Sequence, residues 1–465
     1  GADGGLWLTH AQEQGSSRFI SERSVAYAEV WAGRMIVTLG VEEELQVVDA
    51  HTRALTAHDF KMMKLNLANG SGGIGCEIHR CAVELQTSVR AHPDDIAVSL
   101  SVLRGKARKQ AEEKGQAVFA AGLHPFTTWK GQSLNEDRER YPHYAHLLDE
   151  YGDIARSAMS FGLHIHLGIP DAKLRMPIMN ALRAVLPEVL ALSANSPFYE
   201  GRDTGLACWR HSVLGQYPRM GIPEAWPSEE AYFAHIDRLR RVGSLEPDQG
   251  MWDDLRLHHR YGTLEVRICD AVHSLERVWL ITALLQCEAM TLAEDAERGR
   301  LHDPLPRAFI VENRWRARRY GLNAALVDWQ RDEAVATSER YERWVARLLP
   351  AEMKLGIWPR LELAVARALS QGAGADQQRA WHKETGSYES LVEILSDATA
   401  KPWTPPSRTS RRDTGRKTGT QRPRAPASAD IRIDRAPAAT TGGVALELAT
   451  SPQRTALPNQ SKLDR

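Results

Sequence analysis

Several charged residues lie in the middle of otherwise apolar runs, where an unpaired carboxylate would be costly to bury. The clearest case is the segment 39–48, LGVEEELQVV. On a β-strand, Glu42 and Glu44 share one face and Glu43 points to the other. Two carboxylates on one face repel each other unless a cation or an arginine lies between them. The segment therefore indicates either a cation site or the exposed acidic edge of a strand.

A second acidic segment and a pair of histidines also place ionisable side chains within apolar runs. Glu77 and Glu84 are seven residues apart, so both reach one site only if Glu77 precedes the regular strand or a bulge intervenes. In the segment 162–168, GLHIHLG, His164 and His166 share a strand face. A neutral imidazole is a good metal ligand or phosphate neighbour, and a structural role is the alternative.

The segment 262–270, GTLEVRICD, places Glu265 and Arg267 on one strand face, as a simple ion pair or as part of a larger site. One shared sheet face would assemble all of these charged side chains. Such an oxygen-rich cluster, with at most one or two imidazoles, suits Mg²⁺ or Mn²⁺ rather than zinc. Because Mg²⁺ ordinarily works with nucleotide phosphates, phosphoryl transfer is the leading reaction class. The sequence has no GxxxxGK[ST] or GxGxxG run, so metal and arginine would have to hold the nucleotide.

The elements that position these residues alternate between short β-like runs and longer helical ones. Strand candidates are rich in Val, Ile, Leu and Thr and lie at 36–49, 81–89, 117–126, 162–170 and 262–272. Helical spacing appears at 94–115, 177–195 and 274–299 and in much of 335–400. Because the strands and helices follow no strict βαβ rhythm, we predict an α+β fold with a mostly antiparallel sheet.

The charge is unevenly distributed along the 465 residues, which hold 59 Lys+Arg and 59 Asp+Glu. Residues 401–465 carry 13 Lys+Arg and 5 Asp+Glu, a surplus of +8, so the preceding 400 residues carry −8. The segment 401–465 also holds 8 of the 23 prolines and is predicted to be a disordered basic tail. We expect no nucleic-acid binding except through this tail. Residues 1–34 are predicted to be a poorly ordered or vector-derived extension, and 35–400 the catalytic domain.

The chain has five cysteines and no CxxC pair. Five are too few to stabilise a chain of this length by disulfides, and an odd number cannot all pair within the chain, which favours a reducing compartment. We therefore predict a cytoplasmic protein. The most apolar stretch, 278–293, is interrupted by Gln286 and Glu288 and is shorter than the roughly 20 residues that span a bilayer. It is predicted to be a buried helix, and no membrane association is expected.

Taken together, these motifs resemble the glutamate-cysteine ligase family of the second type, also called the carboxylate-amine ligases. The resemblance covers about residues 35–399 and rests on seven short segments that stand in the family's order. The segments are LGVEEE (39–44), GLHIHLGIPD (162–171), LALSANSPFYEGRDTGLA (190–207), YPRMGIPEAW (217–226), WDDLRLHHRYGTLEVRICD (252–270), ENRWRARRYGL (312–322) and GAGADQQR (372–379). This likeness implies a fold like the catalytic domain of glutamine synthetase, in which a curved, mainly antiparallel sheet forms a funnel flanked by helices.

The resemblance also implies an ATP-dependent, Mg²⁺-requiring ligase that forms an amide from a small carboxylate and an amine. In the named activity glutamate's γ-carboxylate attacks the γ-phosphate of ATP, and the amine of cysteine then displaces phosphate to give γ-glutamylcysteine. A related γ-glutamyl amide is the alternative product, and a homodimer is implied by the same likeness. Two other hypotheses stay open: a small-molecule phosphotransferase of the same superfamily, and a non-catalytic metal-binding protein whose basic tail binds nucleic acid.

The likeness assigns roles to individual residues. The implied metal ligands are Glu42, Glu44, Glu77, Glu84, His164 and Glu265. The implied catalytic residues are Arg267, Glu265 and His164. The implied cofactor contacts are Arg267, His166 and Arg256. Arg267 would neutralise the charge on the transferring γ-phosphoryl group.

Other residues in or beside the family-like segments are open to two interpretations. A substrate carboxylate could be gripped by the arginines Arg202, Arg210 and Arg314, or each of them could form a structural salt bridge. Three aromatic residues are interpreted as packing residues, of which one could stack on adenine: Trp252, Trp315 and Tyr320.

Overall fold

The computed structural model describes residues 37–67, 70–246 and 250–404. Its main sheet has eight strands: β1 Thr38–Asp49, β2 Met63–Leu67, β3 Gly70–Cys76, β4 Ala82–Gln86, β5 Gln116–Phe119, β6 Gly162–Gly168, β9 Leu255–Leu257 and β10 Leu264–Asp270. Their order is β2-β3-β4-β1-β6-β10-β9, with β5 paired to the last residues of β1. All of these pairs are antiparallel. Two short hairpins lie outside the sheet, β7 Phe198–Tyr199 with β8 Arg202–Asp203 and β11 Ala325–Asp328 with β12 Glu333–Ala336.

The helices of the described residues precede, interrupt and follow these strands. They are α1 Pro93–Glu112, α2 Pro142–Tyr151, α3 Asp153–Ser157, α4 Ala172–Leu182, α5 Leu186–Ser193, α6 Arg210–Leu214, α7 Glu229–Arg241, α8 Leu275–Glu297, α9 Arg307–Tyr320, α10 Thr337–Leu355, α11 Arg360–Gln371, α12 Gly374–Thr385 and α13 Tyr388–Ala400. Helices α1, α5 and α8 contact the main sheet, and the buried apolar side chains of both layers form one core.

The central strand β1 shows how the sequence pattern divides the sheet into two faces. Leu39, Val41 and Leu45 are buried against the helices, while Glu42 and Glu44 between them point to the other side. This alternation is the period of two expected for a strand with one face in the core. The register of β1 is therefore fixed by burial, since a slip of one residue would bring both glutamates into the apolar core.

Glu43 is the exception on the core face, and it has a partner. It is fully buried and accepts hydrogen bonds from Arg104 of α1, from Nε at 2.8 Å and from Nη2 at 2.5 Å. The same guanidinium donates to the backbone oxygens of Val272 and His273, both at 2.7 Å. This buried ion pair ties β1, α1 and the β10–α8 connection together.

Helix α8 contains the apolar stretch that the sequence predicts to be a buried helix, and that prediction is confirmed. Its interior polar groups have partners, which explains why they are tolerated. Gln286 Nε2 donates to the oxygens of Val37 at 2.6 Å and Ala91 at 2.9 Å. Glu288 accepts a hydrogen bond from Trp344 Nε1 at 2.7 Å.

A different segment, residues 172–193, is long and apolar enough to cross a membrane by length and composition. The segment comprises α4, a 3₁₀ turn and α5. Of its most apolar 18 residues, 72% are buried inside the protein, as expected of helices in a core. All five cysteines are free thiols, and only Cys76 is not fully buried. These features agree with the prediction that the cysteines are not disulfide partners.

The α+β class and the antiparallel sheet are confirmed. Each strand predicted from sequence is present with shifted ends, and so are the predicted helices, except that the single helix predicted at 177–195 is two helices, α4 and α5, separated by a 3₁₀ turn. Among the elements that were not predicted are β2, β3 and β9 of the main sheet; β3 has the glycine-rich sequence GSGGIGC, which is unfavourable in a strand. The predicted extension 1–34 and nearly all of the predicted tail 401–465 lie outside the described residues. The assignment of 35–400 as a single catalytic domain stays a prediction.

Candidate active site

The charged residues of four strands lie together on the sheet face that is turned away from the helices. They are Glu42 and Glu44 of β1, Glu84 of β4, His164 and His166 of β6, and Glu265 and Arg267 of β10. The strand register makes several of them direct neighbours: Glu44 is opposite Glu84, Glu42 is opposite His164, and Glu265 is opposite His166. The shared face expected from the sequence is therefore present.

Glu77 reaches the same place from a loop. It follows Cys76, the last residue of β3, and precedes β4 by five residues. Because it stands before the regular strand, the odd separation from Glu84 does not send it to the other face. Burial and the nearby charge of Glu44 raise the pKa of Glu77 to about 8. We refer to Glu42, Glu44, Glu77, Glu84 and Glu265 as the acidic cluster.

Three side chains in this region approach as metal ligands do. One ligand atom each of Glu42, His166 and Glu265 lies within 4.8 Å of the others. His166 Nε2 is 3.5 Å from Glu42 Oε1, and His166 Nδ1 is 2.8 Å from the hydroxyl oxygen of Thr263. The Thr263 contact orients the ring so that Nε2 faces the carboxylates.

Glu265 is fully buried between two arginines. Arg256 Nε lies 2.7 Å from Glu265 Oε2, and Arg267 Nη1 lies 2.5 Å from Glu265 Oε1. Burial alone would raise the pKa of this carboxyl, but Arg256 and Arg267 hold the pKa well below its usual range. Glu265 is therefore ionised at neutral pH, and it fixes both guanidinium groups at the sheet face.

Glu42 contacts both histidines of β6. His164 Nδ1 lies 3.6 Å from Glu42 Oε2 and 3.5 Å from Arg267 Nη1. Burial opposes ionisation of Glu42, but the adjacent His164 and His166 rings hold its pKa below the usual range. For His164 itself, burial and the charge of Arg267 lower the pKa. The ring is therefore neutral, and one of its nitrogen atoms can bind a cation.

The acidic cluster fits a hard divalent cation. Its donors are carboxylate oxygens, the ligands that Mg²⁺ prefers. Burial and the charge of Glu42 raise the pKa of Glu84 well above the usual value, because the carboxylates repel one another without a cation between them. The buried Nε2 atom of His164 has no hydrogen-bond partner within the described residues, so it too is available to a ligand.

Arg210, a predicted substrate contact, is a buried arginine with two unsatisfied nitrogen atoms. It is 3% exposed, and within the described residues its Nε and Nη1 atoms have no hydrogen-bond partner. Its charge favours the ionised forms of Asp270 and Asp254, but no ion pair with either is within contact distance in the described residues. A cavity beside it is also lined by Arg267, Arg314 and Trp252. A Cβ atom at Gly162 would collide with the Arg210 guanidinium, so a glycine is needed there. The Nε and Nη1 atoms of Arg210 are therefore available as hydrogen-bond donors beside this cavity.

Arg314 and Arg202 differ from Arg210. Arg314 Nε lies 2.6 Å from Asp254 Oδ2, and its Nη2 donates to His211 Nδ1 at 2.7 Å. Its guanidinium is therefore already engaged, as in a structural salt bridge. Arg202 is exposed on β8, with its guanidinium over the rings of Tyr199 and Trp209 at 5.9 and 5.4 Å.

The prediction that Trp315 and Tyr320 are packing residues is wrong. Both lie on α9, 47% and 50% exposed, because they occupy the outer side of a helix whose inner side carries Ile310, Asn313 and Ala317. Trp252 does pack, edge to face with Tyr151 and Tyr217 at 5.7 and 5.6 Å between ring centroids.

The sequence interpretation missed several residues that position the cluster. Thr263 orients His166, Gln86 Nε2 donates to Glu84 at 2.6 Å, and the Gly162 N–H donates to Glu44 at 2.5 Å. The period of two could have identified Thr263 and Gln86, which stand two residues from Glu265 and Glu84. Asp254, the partner of Arg314, belongs to the loop before β9 and gave no comparable signal.

Comparison of the sequence with known proteins identifies the family to which the chain is similar. The model of glutamate-cysteine ligase family 2 matches residues 38–394. A protein of Rubrobacter xylanophilus named "Putative glutamate–cysteine ligase 2-3" is 37% identical over 364 residues, which cover 78% of this chain and 97% of that protein. One of Sorangium cellulosum named "Putative glutamate–cysteine ligase 2" is 34% identical, with 77% and 95% covered.

Two solved structures share the fold. A bifunctional glutathione synthetase from Pasteurella multocida superimposes with a TM-score of 0.60 at 16% identity and covers 83% of this chain, which spans 54% of that protein. A glutamate–cysteine ligase from Francisella tularensis in complex with AMP gives a TM-score of 0.55 at 11% identity, with 79% and 89% covered. The family match and the relatives together show that this chain belongs to glutamate-cysteine ligase family 2 and is an ATP-dependent ligase that forms a C–N bond.

Proposed function

We propose that the chain joins the γ-carboxylate of glutamate, or of a closely related acid, to an amine through an acyl phosphate. In the first step a carboxylate oxygen attacks the γ-phosphorus of ATP, and ADP leaves. In the second step the amine nitrogen attacks the acyl carbon and loses a proton, and inorganic phosphate leaves with the carboxylate oxygen. Cysteine is the amine that the family name suggests, which would make the product γ-glutamylcysteine.

The observation that carries this proposal is the distribution of charge on one sheet face. Five carboxylates stand beside Arg256 and Arg267, in a chain of a ligase family. Phosphoryl transfer needs cations around the phosphates, and an acidic cluster supplies the ligands for such cations. Glu265 is fully buried between Arg256 and Arg267, so it also holds two cations at the same sheet face.

Mg²⁺, or Mn²⁺ in its place, would be held by Glu42, His166 and Glu265, with Glu44, Glu77, Glu84 and His164 as the further donors. When bound, the metal supplies positive charge to the phosphates of the nucleotide. The chain's own contribution is orientation: Thr263 holds the His166 ring, and the Gly162 N–H holds one oxygen of Glu44.

Three arginines have separate tasks in this proposal. Arg267, fixed by Glu265 and 3.5 Å from His164, presents a guanidinium to the transferring phosphoryl group. Arg210, whose Nε and Nη1 atoms have no hydrogen-bond partner within the described residues, binds the carboxylate of the acid substrate that does not react. Arg256 is held by Glu265 and by the Met251 oxygen at 2.8 Å and stands next to the nucleotide phosphates.

A screen of carboxylic acids and amines tests this function. The purified chain, ATP and Mg²⁺ are incubated with each pair, and ADP and product mass are recorded. We expect ADP and an amide in equal amounts with an acid that carries a second carboxylate, glutamate first. ADP formation without any amide across the panel would contradict the ligase mechanism and favour a phosphotransferase. The cytoplasmic location and the homodimer stay predictions.

A further inference from the structure

The hairpin between β9 and β10 carries a short stack of aromatic rings. The rings of His258 and Tyr261 are stacked, with centroids 4.4 Å apart and planes at 15°. His259 is stacked on His258 at 5.2 Å and 10°. Tyr261 is 61% exposed, although one side of its ring is covered by His258. The stack therefore ends in an open aromatic surface.

This stack is held rigidly by its own hairpin. His258 Nδ1 accepts hydrogen bonds from the backbone N–H groups of Arg260 at 3.2 Å and Tyr261 at 3.3 Å. The backbone closes through His258 N to the Thr263 oxygen and Gly262 N to the His258 oxygen, both at 2.9 Å. Gly262 has a φ of +61°, a conformation that glycine adopts without strain. The Tyr261 ring thus needs little further ordering to receive a ligand.

The stack stands directly beside the acidic cluster. His166 meets the rings of His258 and Tyr261 edge to face, with centroids 5.5 and 5.7 Å away. The Nε2 atom of the same His166 ring lies 3.5 Å from Glu42 Oε1. A planar ring stacked on Tyr261 and a phosphate chain bound at the acidic cluster would therefore be separated only by the His166 ring. A nucleoside triphosphate has these two parts at its two ends, whereas a small amino acid has no planar ring.

We propose that Tyr261, supported by His258, is the platform on which the base of the nucleotide stacks. This inference rests on the proposed function, because it assumes that the phosphates lie at the acidic cluster. Stacking on an exposed aromatic ring contributes to affinity through the base alone and leaves the phosphate contacts untouched. It also differs from the sequence interpretation, which considered Trp252, Trp315 and Tyr320 as the residues that could stack on adenine.

The test compares a ligand that has a base with one that has none. Calorimetric titrations with Mg²⁺ and the non-hydrolysable ATP analogue AMP-PNP, and with Mg²⁺ and inorganic tripolyphosphate, are run on the full chain and on three variants. We expect Tyr261→Ala to weaken AMP-PNP binding by about 5- to 150-fold and Tyr261→Phe by less than about threefold, because the phenylalanine ring still stacks. Tripolyphosphate affinity should be the same in all of them, and Tyr320→Ala should bind AMP-PNP like the unsubstituted chain.

Each other outcome contradicts the inference in a recognisable way. If Tyr261→Ala binds AMP-PNP normally, or if only Tyr320→Ala loses affinity, the base does not stack on Tyr261. If tripolyphosphate weakens by the same factor as AMP-PNP, Tyr261 acts through the phosphates and not through the base. If the unsubstituted chain binds neither ligand, the proposed function fails together with the inference, whereas the first two outcomes leave the proposed function standing.

Discussion

Replacing Glu265 by glutamine should destabilise the fold, and replacing Glu84 by glutamine should not. Both residues belong to the acidic cluster, and both changes replace a carboxyl group by an amide at almost constant volume. They differ in their partners: Glu265 holds Arg256 and Arg267, whereas Glu84 forms no ion pair within the described residues and accepts a hydrogen bond from Gln86 at 2.6 Å.

The magnitude follows from burial. Glu265 is fully buried, and the side chains of Arg256 and Arg267 are only 13% and 21% exposed, so Glu265→Gln removes the carboxylate that both largely desolvated cations contact directly. Breaking a buried ion pair in this way costs about 3–5 kcal/mol. Burial and the charge of Glu42 already favour the neutral form of Glu84, so a neutral glutamine there should change the free energy of unfolding by less than about 1 kcal/mol, or increase it.

The assay is urea unfolding at pH 7 in buffer with EDTA, followed by tryptophan fluorescence. EDTA removes divalent cations, so that the contrast reports the side chains alone. Equal losses of stability in Glu265→Gln and Glu84→Gln would refute the reasoning, because the arginines would then not depend on Glu265. Adding Mg²⁺ should stabilise the unsubstituted chain more than Glu84→Gln, since the variant has lost a predicted ligand.

Three further predictions concern other buried charges. Arg104→Met should cost about 3–5 kcal/mol in urea unfolding, because it leaves Glu43 buried without its partner, and adding Glu43→Leu should restore most of the loss; no restoration would contradict the ion-pair explanation. Burial and the charge of Glu362 raise the pKa of Glu352 to about 8, so the folded state favours the protonated form and stability should fall as pH rises from about 4.5 to about 8. Glu352→Gln should flatten that pH dependence, and an unchanged slope would show that another group titrates. Arg210→Met should raise the KM for the acid substrate by at least about tenfold with little change in the KM for ATP, because it removes a charge-assisted contact of about 1.5–3 kcal/mol, and an unaltered KM would remove Arg210 from the substrate site.

Much of the charged face could be predicted because period two is a local property of a strand. Glu42 and Glu44 share a face whatever β1 pairs with, and so do His164 and His166. The pairing of these strands with one another depends on the tertiary structure. The sequence suggested it only because several strands carry charged residues that would be unfavourable to bury without partners. The register that places Glu265 opposite His166 was not readable from either segment.

The roles of the arginines could not be distinguished from the sequence. Arg210 and Arg314 were equal candidates for a substrate contact, because a guanidinium in a family-like segment looks the same in both. Only the fold reveals that Arg314 forms direct contacts with Asp254 and His211, whereas the buried Nε and Nη1 atoms of Arg210 have no hydrogen-bond partner within the described residues. The Tyr261 stack was missed for a related reason, since a hairpin conformation set by Gly262 decides which rings overlap.

The central claim is that the acid is activated as an acyl phosphate before the amine attacks. The most direct measurement uses an acid labelled with ¹⁸O in its reacting carboxylate, incubated with ATP, Mg²⁺ and the amine, and records the mass of the inorganic phosphate released. We predict that each phosphate formed together with an amide carries one ¹⁸O atom from the carboxylate. Amide formation with unlabelled phosphate would contradict the account.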